Sequence, residues 1–125
     1  MPRLNKESAP KVQDAGPAVD RNGDLDDITV NFVTIRQSHS LAPLLRGLPG
    51  DSCQCPHWGY LLKGKALLRL ADGRELEINE GDLYYCPPGH KLYAIEAFEN
   101  LEFNPAREAE QTMNAFTSNI ARADT

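Results

Sequence analysis

Positive charge is in short supply in this chain. The 13 Lys and Arg residues are outnumbered by 18 Asp and Glu, the net charge is -5, and the basic residues are scattered. Nucleic-acid phosphates are held by clustered Lys and Arg that displace counterions, so nucleic acid is excluded as the expected partner. No run of ~18 apolar residues occurs, which removes a membrane-spanning helix and with it the membrane as a partner. The opening residues Met1-Pro2-Arg3-Leu4-Asn5-Lys6 are not followed by the apolar stretch of a secretion signal, so a cytoplasmic location is expected. Cysteine is scarce and odd in number: Cys53, Cys55 and Cys86 cannot all pair within one chain, and Cys53 and Cys55 are too near for an easy bridge. Reduced thiols follow, and in a reducing compartment a Cys-Cys-His group reads as a ligand or redox cluster rather than a disulfide. A phosphate-cradling Gly-rich loop, a nucleotide fingerprint and a Ser-centred elbow are also missing.

What is present fits one all-β domain of 125 residues. Residues 1–27 carry Pro2, Pro10, Pro17, Gly16, Gly23 and several Asp with almost no apolar periodicity, so a mobile N-terminal arm is expected there. Ile28 to Ile35 alternates apolar with polar and is rich in β-branched residues, which predicts a half-buried strand. Ser40 can cap a short helical turn through Leu41 to Leu45, His39 reads as a solvated loop residue, and residues 47–51 break the chain. Short strands then follow at Tyr60–Leu62, Ala66–Leu70, Glu75–Ile78, Leu83–Cys86, Tyr93–Ile95 and Leu101–Phe103, with Asp72-Gly73 as a hairpin turn. From Pro105 the period changes: Ala109, Met113, Phe116 and Ile120 recur at three- and four-residue steps, which predicts a C-terminal amphipathic helix over 105–125. The barrel or sandwich is thus expected over residues 28–104.

The run His57-Trp58-Gly59-Tyr60-Leu61-Leu62-Lys63-Gly64, followed by Gly81-Asp82, Pro87-Pro88-Gly89 and His90, resembles the two sequence motifs of the cupin superfamily. The second motif is the more specific, with Gly81, Pro87 and Gly89 at the family's spacing. Across residues 50–104 the chain looks like small single-domain bacterial cupins with a Cys-Gln-Cys-Pro-His-Trp-Gly type run, a functionally unassigned group. The resemblance implies an antiparallel jelly-roll barrel, often a homodimer, holding a divalent metal such as Zn or Fe among residues of both motifs. Counting back from Gly64, His57 stands at the family's Glu position. Cys53 or Ser52 stands at its second His position, and Asp51 or Gly50 at its first. The second-motif His position is Leu92, with His90 two residues earlier.

Cys53, Cys55 and His57 lie at i, i+2 and i+4, so in an extended segment all three face one side of the sheet, and His90 supplies a fourth donor. Thiolates and imidazoles are donors suited to Zn, Cu(I) or Fe, so these four residues are the candidate metal ligands. Pro56 works against the alignment by bending the strand. Whichever of Tyr84 and Tyr85 faces inward can orient a substrate or donate a proton, and Tyr85 is assigned that catalytic part. Cys86 reads as a packed apolar residue. A Cys53 nucleophile with His57 as its base would need a third, orienting group, which the sequence does not name. Two functions remain open: a metal-dependent dioxygenase, isomerase or lyase acting on a small molecule, and a non-catalytic barrel that binds or senses one.

Overall fold

The computed structural model of the chain describes residues 3–14, 16, 18–36, 39–40, 47–48, 50 and 52–123. In chain order its elements are β1 (Lys11–Asp14), β2 (Ala18–Leu25), β3 (Ile28–Ile35), β4 (His39–Ser40), β5 (His57–Lys63), β6 (Lys65–Arg69), β7 (Glu75–Asn79), β8 (Leu83–Cys86), β9 (Lys91–Ala94), β10 (Phe98–Pro105) and α1 (Ala106–Ala123). One sheet runs β1-β2-β3-β10-β5-β8 and the other β4-β9-β6-β7. Every pairing is antiparallel. Ile35, Leu61 and Phe98 from the first sheet meet Ala66, Leu68, Ile78 and Ala94 from the second in the apolar core between them. The architecture is an all-β jelly roll followed by one helix.

Local chemistry accounts for the joints. The hairpin between β6 and β7 turns at Asp72-Gly73, where Gly73 takes a φ of 89°, open to glycine and costly for a residue with a Cβ. Leu70 N donates to the Arg74 carbonyl at 2.8 Å and Gly73 N to the Leu70 carbonyl at 3.0 Å, closing the turn.

The N-terminal expectation is corrected. Residues 11–14 and 18–25 are not a mobile arm: they form β1 and β2, which extend the larger sheet beyond β3, with Lys11 opposite Asn22 and Ala18 opposite Ile35. The barrel therefore starts at Lys11 rather than Ile28. Apolar alternation is missing because the inward side chains here are polar: Asn22 and the β3 residue Asn31 both donate to the Asp20 carboxylate in the interior. Hydrophobic periodicity cannot detect a strand that faces a polar interior. His39, expected in a loop, pairs with Ala94 in β4. The helical turn expected over residues 41–45 lies outside the described residues.

The helix α1 begins as β10 ends and lies against the open side of the barrel, with Ala109, Thr112 and Asn119 buried. The side chains of Phe116 and Ile120, expected on its apolar face, lie outside those described. Among the described residues no helix is long and apolar enough to cross a membrane.

Candidate metal centre

Backbone pairing joins the two stretches that carry the candidate ligands. Cys53 N donates to the His90 carbonyl at 3.0 Å, and Gly89 N donates to the Cys53 carbonyl at 2.8 Å. His57 opens β5 beside them, and its ring packs edge-on to the His90 ring with centroids 4.8 Å apart. The Cys53 Sγ lies 3.2 Å from His57 Nε2. One ligand atom from each of Cys53, His57 and His90 lies within 4.8 Å of the others. Bonds of about 2.0–2.3 Å in a tetrahedral zinc site put ligand atoms roughly 3.3–3.8 Å apart, so a small contraction closes this group around an ion.

Hydrogen bonds on the far side of each ring fix which nitrogen faces inward. His90 Nδ1 lies 2.8 Å from the Pro87 carbonyl and donates to it, which leaves Nε2 as the nitrogen free to accept or to ligate. His57 Nδ1 donates to Asn104 Oδ1. The Asn104 amide is held in that orientation because its Nδ2 donates to Asn31 Oδ1 at 2.6 Å. Asn31 in turn gives its own Nδ2 to both Asp20 oxygens, at 3.0 and 2.9 Å. A chain of buried and half-buried polar groups thus runs Asp20–Asn31–Asn104–His57–Cys53 across β2, β3, β10 and β5. Partners of this kind set the orientation and basicity of a metal-binding imidazole.

Electrostatics follow the same contacts. Burial pushes the Cys53 thiol up, but hydrogen bonds and charge from His57 and His90 outweigh it and bring the thiol down to about 6. Burial alone would lower His57, yet the Glu102 carboxylate and Cys53 hold it well above its ordinary value. Each group thus favours the charged form of the other, the thiolate at Cys53 and the protonated imidazole at His57. Asp20 is raised to about 6 by burial, against the opposing hydrogen bonds from Asn22 and Asn31.

Two expected site residues stand elsewhere. Cys55 is not among the three converging ligand atoms: its Sγ turns to the Pro56 carbonyl at 3.5 Å and its side chain packs with Leu48, Cys53 and Ala109, although it still acts on the nearby His57 ring. The two-residue alternation fails because β5 starts only at His57, after the proline. Tyr85 faces outward, half exposed, with its ring 5.2 Å from that of Trp58. Cys86 points into the core, so strand parity sends Tyr84 inward and Tyr85 out. The inward phenol of Tyr84 donates to Glu102 Oε2 at 3.0 Å and accepts from Asn100 Nδ2 at 2.6 Å. Burial and Glu102 push its ionisation far up, so it stays a neutral hydroxyl. Cys86, packed as expected, is likewise pushed up by burial and Glu102.

The inward row of β10 is the part that sequence reasoning missed. Phe98, Asn100, Glu102 and Asn104 are all buried, whereas Phe103 between them is exposed. The visible signal was an alternation, but of inverted polarity. With Cys53, His57 and His90 these residues line a cavity of about 100 Å³. Thr112 of α1 reaches Cys53 Sγ at 3.6 Å, so the helix covers the same site.

The fold is that of the cupins. An RmlC-like cupin from Shewanella frigidimarina superposes with a TM-score of 0.57 at 15% identity, covering 79% of this chain and 86% of that one. A protein of unknown function from Rhizobium leguminosarum gives 0.60 at 17% identity, over 83% and 95% of the two chains. Oxalate decarboxylase from Bacillus subtilis gives 0.58 at 18% identity, but the match covers 82% of this chain and only 28% of that enzyme. No protein-family model matches the chain, and comparison with curated proteins finds no match.

Proposed function

We propose that this barrel binds one divalent metal ion through Cys53, His57 and His90 and acts on a small molecule held in the adjoining cavity. The observation that carries the reading is the convergence of three ligand atoms within 4.8 Å of one another on the wall of a cavity. One thiolate and two imidazoles suit zinc, and they also suit iron. Three protein ligands leave a coordination position open, which is the arrangement of catalytic rather than structural sites. A bound ion would supply Lewis-acid or redox chemistry to a substrate at that position, as a dioxygenase, isomerase or lyase requires. The protein's own residues do the rest: Asn104 and the Pro87 carbonyl hold the two imidazoles in register, and Tyr84 and Asn100 hold Glu102 at the cavity wall.

Metal analysis of tag-free protein, with cobalt(II) titration of the stripped form, tests this. About one equivalent should bind and give a thiolate-to-metal absorption band that Cys53→Ala and His90→Ala abolish. A protein that takes up no stoichiometric Zn, Fe, Mn, Ni, Cu or Co would sink the reading.

A second reading rests on the Cys53–His57–Asn104 arrangement, which supplies the orienting group that a cysteine nucleophile needs. Rapid iodoacetamide alkylation of Cys53 that persists at saturating metal favours it; protection by metal favours coordination. We further propose that the protein is a homodimer formed through the exposed aromatic face of β5, β8 and β10, and that its three unpaired thiols place it in a reducing compartment such as the cytoplasm.

A further inference from the structure

The wall of the cavity beside the three candidate ligands is largely apolar, and the polar groups on it are of one particular kind. Among its described lining residues there is no Lys or Arg, while Glu102 and Asp20 contribute carboxylates. Two buried side-chain oxygens, Asn100 Oδ1 and Gln13 Oε1, have no hydrogen-bond partner. Both belong to residues that line the cavity. Their amide orientations are fixed by their other contacts. Asn100 Nδ2 donates to the Tyr84 hydroxyl, whose own proton goes to Glu102. Gln13 Nε2 donates to Thr117 Oγ1 at 2.8 Å, and that hydroxyl donates to the Met113 carbonyl at 3.0 Å. Neither amide can turn its NH₂ group inward without breaking a chain of bonds, so both present acceptors. A buried acceptor left unpaired costs about 1–3 kcal/mol, and such groups in folded proteins point to something that satisfies them.

We infer that the cavity binds a small aliphatic amine, whose N–H groups are donated to Asn100 Oδ1, Gln13 Oε1 and the Glu102 carboxylate. The remaining wall suits the stem of such a ligand: Val33, Ile35, Leu92 and Phe98 are apolar, and about 100 Å³ is well under the ~300–1,000 Å³ of pockets for drug-sized ligands. A carboxylate ligand of the same size would meet Glu102 and two acceptor oxygens, and the two imidazoles on the wall are already engaged, His57 by Cys53 and Asn104 and His90 by the Pro87 carbonyl, so burying an unpaired charge there is costly. This inference deepens the proposed function, since the amine site adjoins the metal ligands, but it can be tested without the metal.

The test uses three probes of matched size, n-propylamine, n-propanol and propionate, on the full chain both metal-free and loaded with cobalt(II). Thermal shift reads binding in the first form, and perturbation of the cobalt spectrum in the second. Propylamine should bind at least about tenfold more tightly than propionate, with propanol between them, since one lost charge-assisted hydrogen bond corresponds to about that factor or more. Asn100→Leu and, independently, Gln13→Met should each weaken propylamine about tenfold. The half-exposed position of Gln13 on β1 keeps that variant usable if Asn100→Leu fails to fold. Equal or tighter binding of propionate, or no binding of propylamine in either form, overturns the amine site. Failure to load cobalt instead overturns the metal reading, and the metal-free series still decides the ligand class.

Discussion

Asp20 is the residue whose surroundings are least like those its sequence position suggests. It sits among Pro, Gly and charged residues, yet its carboxylate is the end of a buried hydrogen-bonded chain leading to His57. Burial raises it from 3.8 to about 6 in the folded state, so between those values the native protein holds a proton that the unfolded chain has released. Its contribution is therefore fully favourable below about pH 4 and is lost as pH rises through 6, on the order of 2–3 kcal/mol in all. Asp20→Asn keeps an oxygen to accept from Asn22 and Asn31 and removes that cost. Urea unfolding should show the variant gaining about 2–3 kcal/mol on the parent between pH 4 and pH 8; a difference that does not move with pH would mean Asp20 is not buried as described. At the same scale, Cys55 stands outside the group that Cys53, His57 and His90 form, because the strand that would impose a two-residue alternation begins only at His57, after Pro56.

At the scale of elements, β5 and β10 form the wall that holds His57, Glu102 and Asn104, and one glycine allows it. A Cβ built on Gly59 would lie 2.3 Å from Tyr84 Cζ, because the Tyr84 ring crosses directly over that position to reach Glu102. Gly59 is opposite both Tyr84 on β8 and Glu102 on β10, so the ring spans the width of the strand. Gly59→Ala must displace a ring held by two hydrogen bonds in a packed interior, which costs about 1–3 kcal/mol as overpacking. Chemical denaturation should show a loss of that size, and Gly59→Ala combined with Tyr84→Ala, which removes the ring, should lose less than the sum of the two single changes. Strict additivity would show that the ring and the glycine do not meet. The C-terminal helix belongs to this scale as well: its Ala109, Met113 and Thr112 close the cavity that the strands leave open.

For the whole molecule, the outer face of the larger sheet remains to be covered. Trp58, Tyr60, Leu83, Tyr85 and Phe103 are exposed, and the register places them side by side across β8, β5 and β10. Contiguous apolar surface of this kind is characteristic of interaction sites, and the homodimer proposed above would bury it. Sedimentation velocity at micromolar concentration should give a dimer, and Trp58→Glu should convert it to a folded monomer. A wild-type monomer at tens of micromolar would overturn the assignment.

The chain's periodicities decided where β3, β6, β7, β8 and α1 lie, because each buries an apolar side or turns at a residue with one permitted geometry, whereas β10 was visible through its outward Leu101 and Phe103 and not through the Asn100, Glu102 and Asn104 that it buries. Turn spacing carried the cupin resemblance for the same reason. Strands whose inward face is polar were invisible: β1 and β2 carry Gln13 and Asp20 toward a cavity, and no pattern in a single segment announces that. Only tertiary structure could choose Tyr84 over Tyr85, exclude Cys55, and bring Asn104 to His57 across 47 residues of chain. Those outcomes depend on which strand lies next to which, and pairing of distant strands is a property of the closed barrel, not of any stretch within it.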